Sequence, residues 1–171
     1  MPARRADLWM KGVSWASSPG VRRSMQSNTS TGTAPEVRLR SALHRAGFRF
    51  RKNVRPIAEV RCTADVVFPR ERVAVFIDGC FWHSCPDHGT LPKTNGEWWR
   101  AKLAKTVERD ASNRLALENS GWTVLRVWEH EQLDRAVAVV SKAVNASRMS
   151  ASRVSTRDAE TRRQLHSLES R

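Results

Sequence analysis

The pattern of apolar and polar positions between residues 33 and 77 predicts one helix followed by three strands. Thr33-Ala34-Pro35-Glu36 has the form of a capping box with proline at the first helical position, so a helix is expected from about 34 to 46. The apolar run over 73–77 is almost continuous, which is typical of a strand buried on both faces. The three predicted strands are 48–53, 60–68 and 73–77.

A long loop separates these elements from a second group. The loop covers residues 79–95 and is rich in Cys, His, Pro and Gly. After it the pattern predicts a helix over 97–119, a strand over 122–128 and a helix over 131–146. The order αβββαβα is typical of an α/β fold in which a mixed central β-sheet is flanked by helices.

The balance of charge indicates a polyanionic partner. The 171 residues contain 30 Lys and Arg against 17 Asp and Glu, a formal net charge of +13. Such a basic chain favours nucleic acid or an anionic membrane surface. No window approaches the roughly 18 apolar residues of a membrane span, and the first 30 residues contain no apolar signal core. We therefore expect a cytoplasmic protein whose chain does not enter a membrane.

The charge also divides the chain into three parts. Residues 1–30 carry five basic residues and one acidic residue without a sustained period, which predicts a basic arm that orders on a partner. The polar stretch 147–171 is expected to be a disordered tail with a transient helix near 157–168. The domain itself is expected to cover 31–146.

Asp65 is the first candidate for chemistry because it lies inside an apolar strand. A carboxylate between Ala64 and Val66 is costly to bury unless a cation faces it. One interpretation is a salt bridge at the end of the strand. The other is a metal carboxylate for phosphodiester hydrolysis, because Mg²⁺ binds through one or two carboxylates together with water and phosphate oxygens.

The loop contains a set of residues with the spacing of metal ligands. Cys80, Cys85 and His88 form C-x₄-C-x₂-H, and His130 is available as a fourth ligand. Two thiolates and two imidazoles suit tetrahedral Zn²⁺. The alternative interpretation is a loop with free thiols and histidines that bind no metal. Because Cys80 and His83 also have ligand spacing, five candidates compete for four positions, and the spacing leaves open which imidazole stays free.

Several ordered motifs carry a resemblance to a known family. They are 79–83 (GCFWH), 92–95 (PKTN), 108–110 (ERD) and 121–129 (GWTVLRVWE). This set closely resembles very-short-patch-repair (Vsr) DNA mismatch endonucleases over about 15–134. The resemblance implies a restriction-endonuclease-like core with a structural zinc site. It also implies a Mg²⁺-dependent nick beside the thymine of T:G mismatches, which arise when 5-methylcytosine deaminates.

Partners follow from the same resemblance. The substrate is expected to be double-stranded DNA with a T:G mismatch, cut by a monomer that works beside repair factors or a cytosine methyltransferase system. Two alternatives stay open. One is a restriction-type nuclease with another trigger, and the other is a non-catalytic, zinc-stabilised DNA-binding module.

Residue roles are carried over by position. Asp65 and the backbone carbonyl of Ile77 match the Mg²⁺ ligands, His83 matches the general base, and Glu36 matches a supporting acid, although its capping box explains Glu36 equally well. The structural zinc ligands of the family match Cys80, Cys85, His88 and His130. The aromatic residues that wedge into DNA match Phe81, Trp82 and Trp99. Expected phosphate contacts are Lys93, Arg100, Lys102 and Lys105.

The chain departs from the family pattern at the zinc ligands, where the loop spacing also differs by one residue, and at Ile77 and Asp78. Thr stands at the position of Ile77 in the best-known member and acts through its carbonyl, so Ile is tolerated there. The best-known member has His, Cys and Cys where Cys85, His88 and His130 stand, and Zn²⁺ accepts either set. That member also has a histidine at the position of Asp78. The substitution removes an auxiliary base and introduces a carboxylate that could bind a metal.

Overall fold

The computed structural model of the chain describes residues 31–169, with side chains described from 31 to 152. The predicted arm at 1–30 lies outside the described residues, and the division into arm, domain and tail stays a prediction. The elements are α1 (Ala34–Arg45), β1 (Arg51–Val54), β2 (Ala64–Phe68), β3 (Val73–Asp78), α2 (Gly96–Asn119), β4 (Thr123–Trp128) and α3 (Leu133–Glu169).

The four strands form one mixed sheet in the order β1-β2-β3-β4. The first three are antiparallel neighbours, with Val66 opposite Val75 in the pairing of β2 with β3. In contrast, β4 is parallel to β3, so α2 and the loop before it form the crossover between these two strands. The predicted mixed sheet flanked by helices is confirmed.

Apolar residues cover both faces of this sheet. On one face, α1 and α3 pack together and bury Leu43 and Val140 against Val75. On the other face, Leu117 near the end of α2 packs with Trp122 and Ala74. The central strand β3 is therefore covered on both sides, as its continuous apolar run predicted.

Local hydrogen bonds shift the boundaries of the first two strands. Phe48 N–H bonds back to the carbonyl of Leu43, so Phe48 belongs to the turn that closes α1 rather than to a strand. Cys62 N–H bonds to the carbonyl of Val60, which turns the chain before β2 begins. The predicted starts at 48 and 60 are therefore wrong by three and four residues, since the strands begin at Arg51 and Ala64.

The last helix is longer than predicted. An end near Ala146 was expected because the apolar period stops there, but α3 continues to Glu169. Residues 147–169 contain neither Gly nor Pro and are rich in Arg and Ser, so no residue breaks the helix after it leaves the core. Ser147 and Arg148 also donate hydrogen bonds to Glu71 in the turn between β2 and β3.

Within the described residues, none of the helices combines the length and the apolarity that crossing a membrane requires.

Candidate active site and metal-binding group

A cleft of about 720 Å³ opens where β2, β3 and β4 meet α2. It is lined by four residues that the sequence singled out for catalysis, namely Glu36, Asp65, Ile77 and His83. The cleft therefore brings together the acid, the carbonyl-bearing residue and the histidine that the resemblance implied for one site.

Asp65 and Ile77 are neighbours at the edge of the cleft. The strand β2 pairs with β3 as far as Val66, and Asp65 lies just beyond this ladder, where its Oδ2 accepts a hydrogen bond of 2.7 Å from Ile77 N–H. The N–H and C=O groups of one strand residue point to the same edge, so the Ile77 carbonyl also faces the side of Asp65. A carboxylate and a carbonyl side by side are hard oxygen ligands of the kind that Mg²⁺ binds.

Burial makes the carboxyl group of Asp65 reluctant to ionise. It raises the pKa of Asp65 to about 6, against the hydrogen bond from Ile77, and the negative charge of Glu36 raises it further. A cation bound beside this carboxyl group would stabilise its ionised form and so lower its pKa.

His83 is held by a carboxylate from the helix across the cleft. Its Nδ1 lies 2.5 Å from Oδ2 of Asp110, which is 27 residues away on α2. Burial alone would raise the pKa of Asp110, but the hydrogen bonds from His83 and Arg126 outweigh burial and hold that pKa below its ordinary value. An ionised carboxylate only accepts, so a proton of the ring lies on Nδ1, and Nε2 is the ring nitrogen that can act as a base.

Asp78 is not free to bind a metal in this arrangement. Its carboxylate is buried and receives a two-pronged contact from Arg126 on β4, with Nη2 to Oδ1 at 2.7 Å and Nε to Oδ2 as the second hydrogen bond. The same Nη2 lies 3.0 Å from Oδ2 of Asp110. Burial acts to lower the pKa of Arg126, but the two carboxylates outweigh it and raise the pKa, so the guanidinium stays charged.

Glu36 has structural contacts that use both of its carboxylate oxygens. Oε1 accepts from the backbone N–H and the hydroxyl of Thr33, and Oε2 accepts from Gly32 N–H at 2.8 Å and from Arg40 at 2.6 Å. These bonds cap α1 and neutralise a buried acid. Glu36 lines the cleft, but its catalytic role stays a prediction.

Four side chains that could hold a metal ion, named the metal-binding group here, lie beside the cleft at the ends of β3 and β4. Cys80, Cys85, His88 and His130 place one ligand atom each within 4.8 Å of one another. Sγ of Cys80 is 3.0 Å from Nδ1 of His130, and Sγ of Cys85 is 3.8 Å from Nδ1 of His88. His83 is not part of this group, because its ring faces Asp110 instead.

Two thiols and two imidazoles are a donor set that fits tetrahedral Zn²⁺. Burial raises the pKa of the Cys80 thiol, and Cys85 and Glu129 raise it further. Because a cation favours the thiolate form, metal binding here would release protons. The loop is also tight, since a Cβ on Gly89 would lie 2.5 Å from the carbonyl oxygen of Cys85.

An aromatic cluster borders the same end of the cleft. The rings of Phe81 and Trp82 are 5.1 Å apart, and Phe81 also contacts Trp99 at 5.2 Å. Trp99 is only 7% exposed, whereas Trp82 and Trp98 are each 37% exposed. The cluster thus has Trp82 and Trp98 at its surface, with Phe81 and Trp99 behind them.

The predicted phosphate contacts lie on the surface, and one of them contacts this cluster. Lys102 lies over the ring of Trp98, with Nζ 5.4 Å from the ring centroid. All four residues, Lys93, Arg100, Lys102 and Lys105, are exposed.

Sequence reasoning did not assign roles to Asp110, Arg126 or Trp98. Asp110 lies seven residues from both Leu103 and Leu117, so it shares the buried face of α2 with two leucines. Arg126 similarly interrupts the apolar run of β4. A charged residue at a position where the pattern predicts an apolar one is the signal that could have identified Asp110 and Arg126.

Comparison with known proteins identifies relatives of this chain. The family described as DNA mismatch endonuclease Vsr matches residues 19–87. The Type II nicking enzyme V.NaeI of Lentzea aerocolonigenes is 54% identical over 123 residues, which are 71% of this chain and 74% of that protein. The DNA mismatch endonuclease Vsr of Escherichia coli (strain K12) is 37% identical over 110 residues, which are 63% and 67% of the two chains.

Relatives with this identity over two thirds or more of their own length establish the family. They also exclude the non-catalytic DNA-binding module as the description of this chain. The chain belongs to the Vsr family of DNA endonucleases.

Proposed function

We propose that the chain is a Mg²⁺-dependent endonuclease that nicks one strand of duplex DNA beside the thymine of a T:G mismatch. The observation that carries this proposal is the His83–Asp110 pair in the same cleft as Asp65 and Ile77. A base, a carboxylate and a backbone carbonyl around one cavity are the groups that phosphodiester hydrolysis requires.

Asp65 and the carbonyl of Ile77 are the proposed Mg²⁺ ligands. When bound, Mg²⁺ supplies positive charge beside the phosphate and its leaving oxygen. The Ile77 N–H occupies one carboxylate oxygen of Asp65 at 2.7 Å and so fixes the direction of the other. This hydrogen bond therefore makes Asp65 a pre-oriented ligand.

His83 is the proposed general base. Its Nε2 takes a proton from the attacking water while the water oxygen forms a new bond to phosphorus. The bond from phosphorus to the leaving deoxyribose oxygen breaks, and that oxygen takes a proton from solvent. Asp110 acts by keeping the Nδ1 proton in place, which stabilises the imidazolium that forms.

The aromatic cluster is the proposed sensor of the mismatch. Trp82 lines the cleft and is exposed, so it can enter a base step next to the phosphate that is cut. A wedge of this kind gains most where a step unstacks at low cost, as it does beside a mispaired base. Phe81 and Trp99 support Trp82 from behind.

The four-residue group is proposed to hold one structural Zn²⁺. Two of its ligands flank the wedge residues in the chain, because Phe81 and Trp82 stand between Cys80 and Cys85. Zinc would thereby fix the loop that carries both the wedge and His83.

A second candidate is a nicking enzyme with another trigger. The relatives that support it are described as type II nicking enzymes, of which one is 41% identical over 107 residues and comes from Neisseria meningitidis. The two candidate functions share the hydrolysis of a phosphodiester bond and differ only in the DNA feature that the enzyme recognises.

The decisive test is a nicking assay on duplexes labelled on each strand separately. One duplex carries T:G, one is fully matched, and others carry different mismatches or methylated sites. We expect one nick beside the thymine of T:G, dependent on Mg²⁺ and absent with Asp65→Asn. Equal cutting of matched and T:G duplexes would contradict the mismatch proposal and favour the second candidate.

A further inference from the structure

Arg126 is a charged residue in the middle of β4 whose side chain faces the cleft. It stands opposite Phe76 in the parallel pairing with β3 and lies on the face that α2 covers. The side chain is 27% exposed, while its partners Asp78 and Asp110 are 3% and 12% exposed. The guanidinium is therefore fixed by the buried carboxylate of Asp78 and the partly buried carboxylate of Asp110, and it remains accessible from the cleft.

The donors of the guanidinium are only partly used. Nε and Nη2 contact Asp78, and Nη2 also contacts Asp110. Nη1 makes no hydrogen bond within residues 31–152, so two of the five N–H donors remain for a ligand. Nη2 also lies 3.2 Å from Nδ1 of His83, which places the cation next to the proposed base.

We propose that Arg126 is a catalytic residue that donates hydrogen bonds to the phosphate being cut, and that Asp78 is the residue that positions it. The proposal rests on the nuclease chemistry proposed above and adds the group that contacts the non-bridging oxygens. A planar fork held on one side by a buried carboxylate presents its remaining donors in a fixed direction. Charge develops on the phosphate oxygens as the water attacks, and an already oriented cation stabilises it without rearrangement.

The competing interpretation is that Arg126 only neutralises Asp78. Two variants separate these interpretations. Arg126→Gln removes the cation and leaves Asp78 buried without its counterion, which lowers stability under either interpretation. The double variant Asp78→Asn with Arg126→Gln replaces the ion pair by neutral groups of similar shape, so stability should return.

The experiment measures the single-turnover nicking rate at saturating protein, DNA affinity with Ca²⁺ in place of Mg²⁺, and the melting temperature. We expect Arg126→Gln to lower the rate about 10²–10³-fold and to change affinity less than about threefold. The double variant should regain the melting temperature but not the rate. Arg126→Lys, which keeps the charge and loses the fork, should fold and still lose at least about tenfold in rate.

The control is Arg135→Gln, which removes one positive charge from an exposed residue on α3. It should nick at the wild-type rate. The proposal is overturned if Arg126→Lys nicks within about threefold of wild type, or if the double variant regains rate together with melting temperature. Because every rate is taken relative to wild type on a duplex that wild type nicks, a failure of the T:G proposal would leave this result readable.

Discussion

At the scale of single residues, the ionised carboxylate of Asp65 is required for the proposed activity but lowers the stability of the fold. Its pKa of about 6 lies above the ordinary value of 3.8, so the folded state holds the proton more tightly than the unfolded state. The stabilisation from this group is complete below pH 4 and is lost as the pH rises to 6. At pH 7 the ionised carboxylate is therefore a cost to the fold.

Asp65→Asn should remove that cost and abolish nicking. We expect the variant to be more stable than wild type by about 1–3 kcal/mol at pH 7, and equal to it at pH 4. Thermal unfolding at both pH values without divalent ions measures the difference. Added Mg²⁺ should raise the melting temperature of wild type only, and a variant less stable at pH 7 would contradict the prediction.

Gly89 offers a second test at this scale. A Cβ at Gly89 meets the carbonyl oxygen of Cys85 at 2.5 Å, whereas a Cβ at Gly96 meets nothing within 4 Å. Gly89→Ala should displace Cys85 or His88, lowering both zinc content and melting temperature. Gly96→Ala is the matched control and should leave both unchanged. Equal zinc content in the two variants, measured by elemental analysis, would show that the loop tolerates the shift.

How much of the site could be predicted depends on the distance between partners along the chain. The zinc candidates were predictable because three of the four ligands lie within nine residues. Spacing could not decide between His83 and His88, since only the fold brings Asp110 to His83 from 27 residues away. The ion pair of Asp78 and Arg126 spans 48 residues and has no local signature.

At the scale of elements, the loop before α2 carries the proposed wedge residues Phe81 and Trp82, whereas α2 carries most of the proposed phosphate contacts, and the two should act differently. Trp82→Ala should lower the ratio of T:G to matched nicking, because a wedge gains energy mainly where a base step opens easily. Loss of one stacked aromatic ring should cost roughly 1–3 kcal/mol. Nicking rates on both duplexes give the ratio.

Lys102→Ala is the matched comparison on α2. It should lower nicking of both duplexes by the same factor, because phosphate contacts carry no sequence information. Lys102 also lies over Trp98, so tryptophan fluorescence should report the loss of this contact. If Trp82→Ala preserves the ratio while Lys102→Ala lowers it, the proposed division of roles is wrong.

The elements themselves were largely predictable, and the exceptions have a common cause. The strand β3 was identified from its apolar run, which is the same property that places it in the centre of the sheet. The ends of β1, β2 and α3 were misplaced because they depend on backbone hydrogen bonds and on the absence of helix breakers. An apolar period does not contain that information.

At the scale of the whole molecule, the net charge of +13 predicts how binding depends on salt. Raising monovalent salt from roughly 50 to 200 mM should lower affinity for matched and T:G duplexes alike, by on the order of 10³-fold. Binding titrations at four salt concentrations give the slope for each duplex. Slopes that differ between the duplexes would mean that mismatch recognition itself uses additional phosphate contacts.

The position of the metal-binding group has a consequence for the folding of the chain. Cys80 and His130 are 50 residues apart, and the crossover helix lies between them, so an ion bound to both closes a long loop. Closing such a loop in the unfolded chain costs roughly 4 kcal/mol of entropy, so an unfolded chain would bind the ion weakly, whereas the folded chain has already closed the loop. A peptide covering 79–95 carries only three of the four ligands, so its affinity for Zn²⁺ should be far weaker. Full affinity for the proposed Zn²⁺ would then appear only after β4 has paired with β3, so tight binding would report that the crossover is complete.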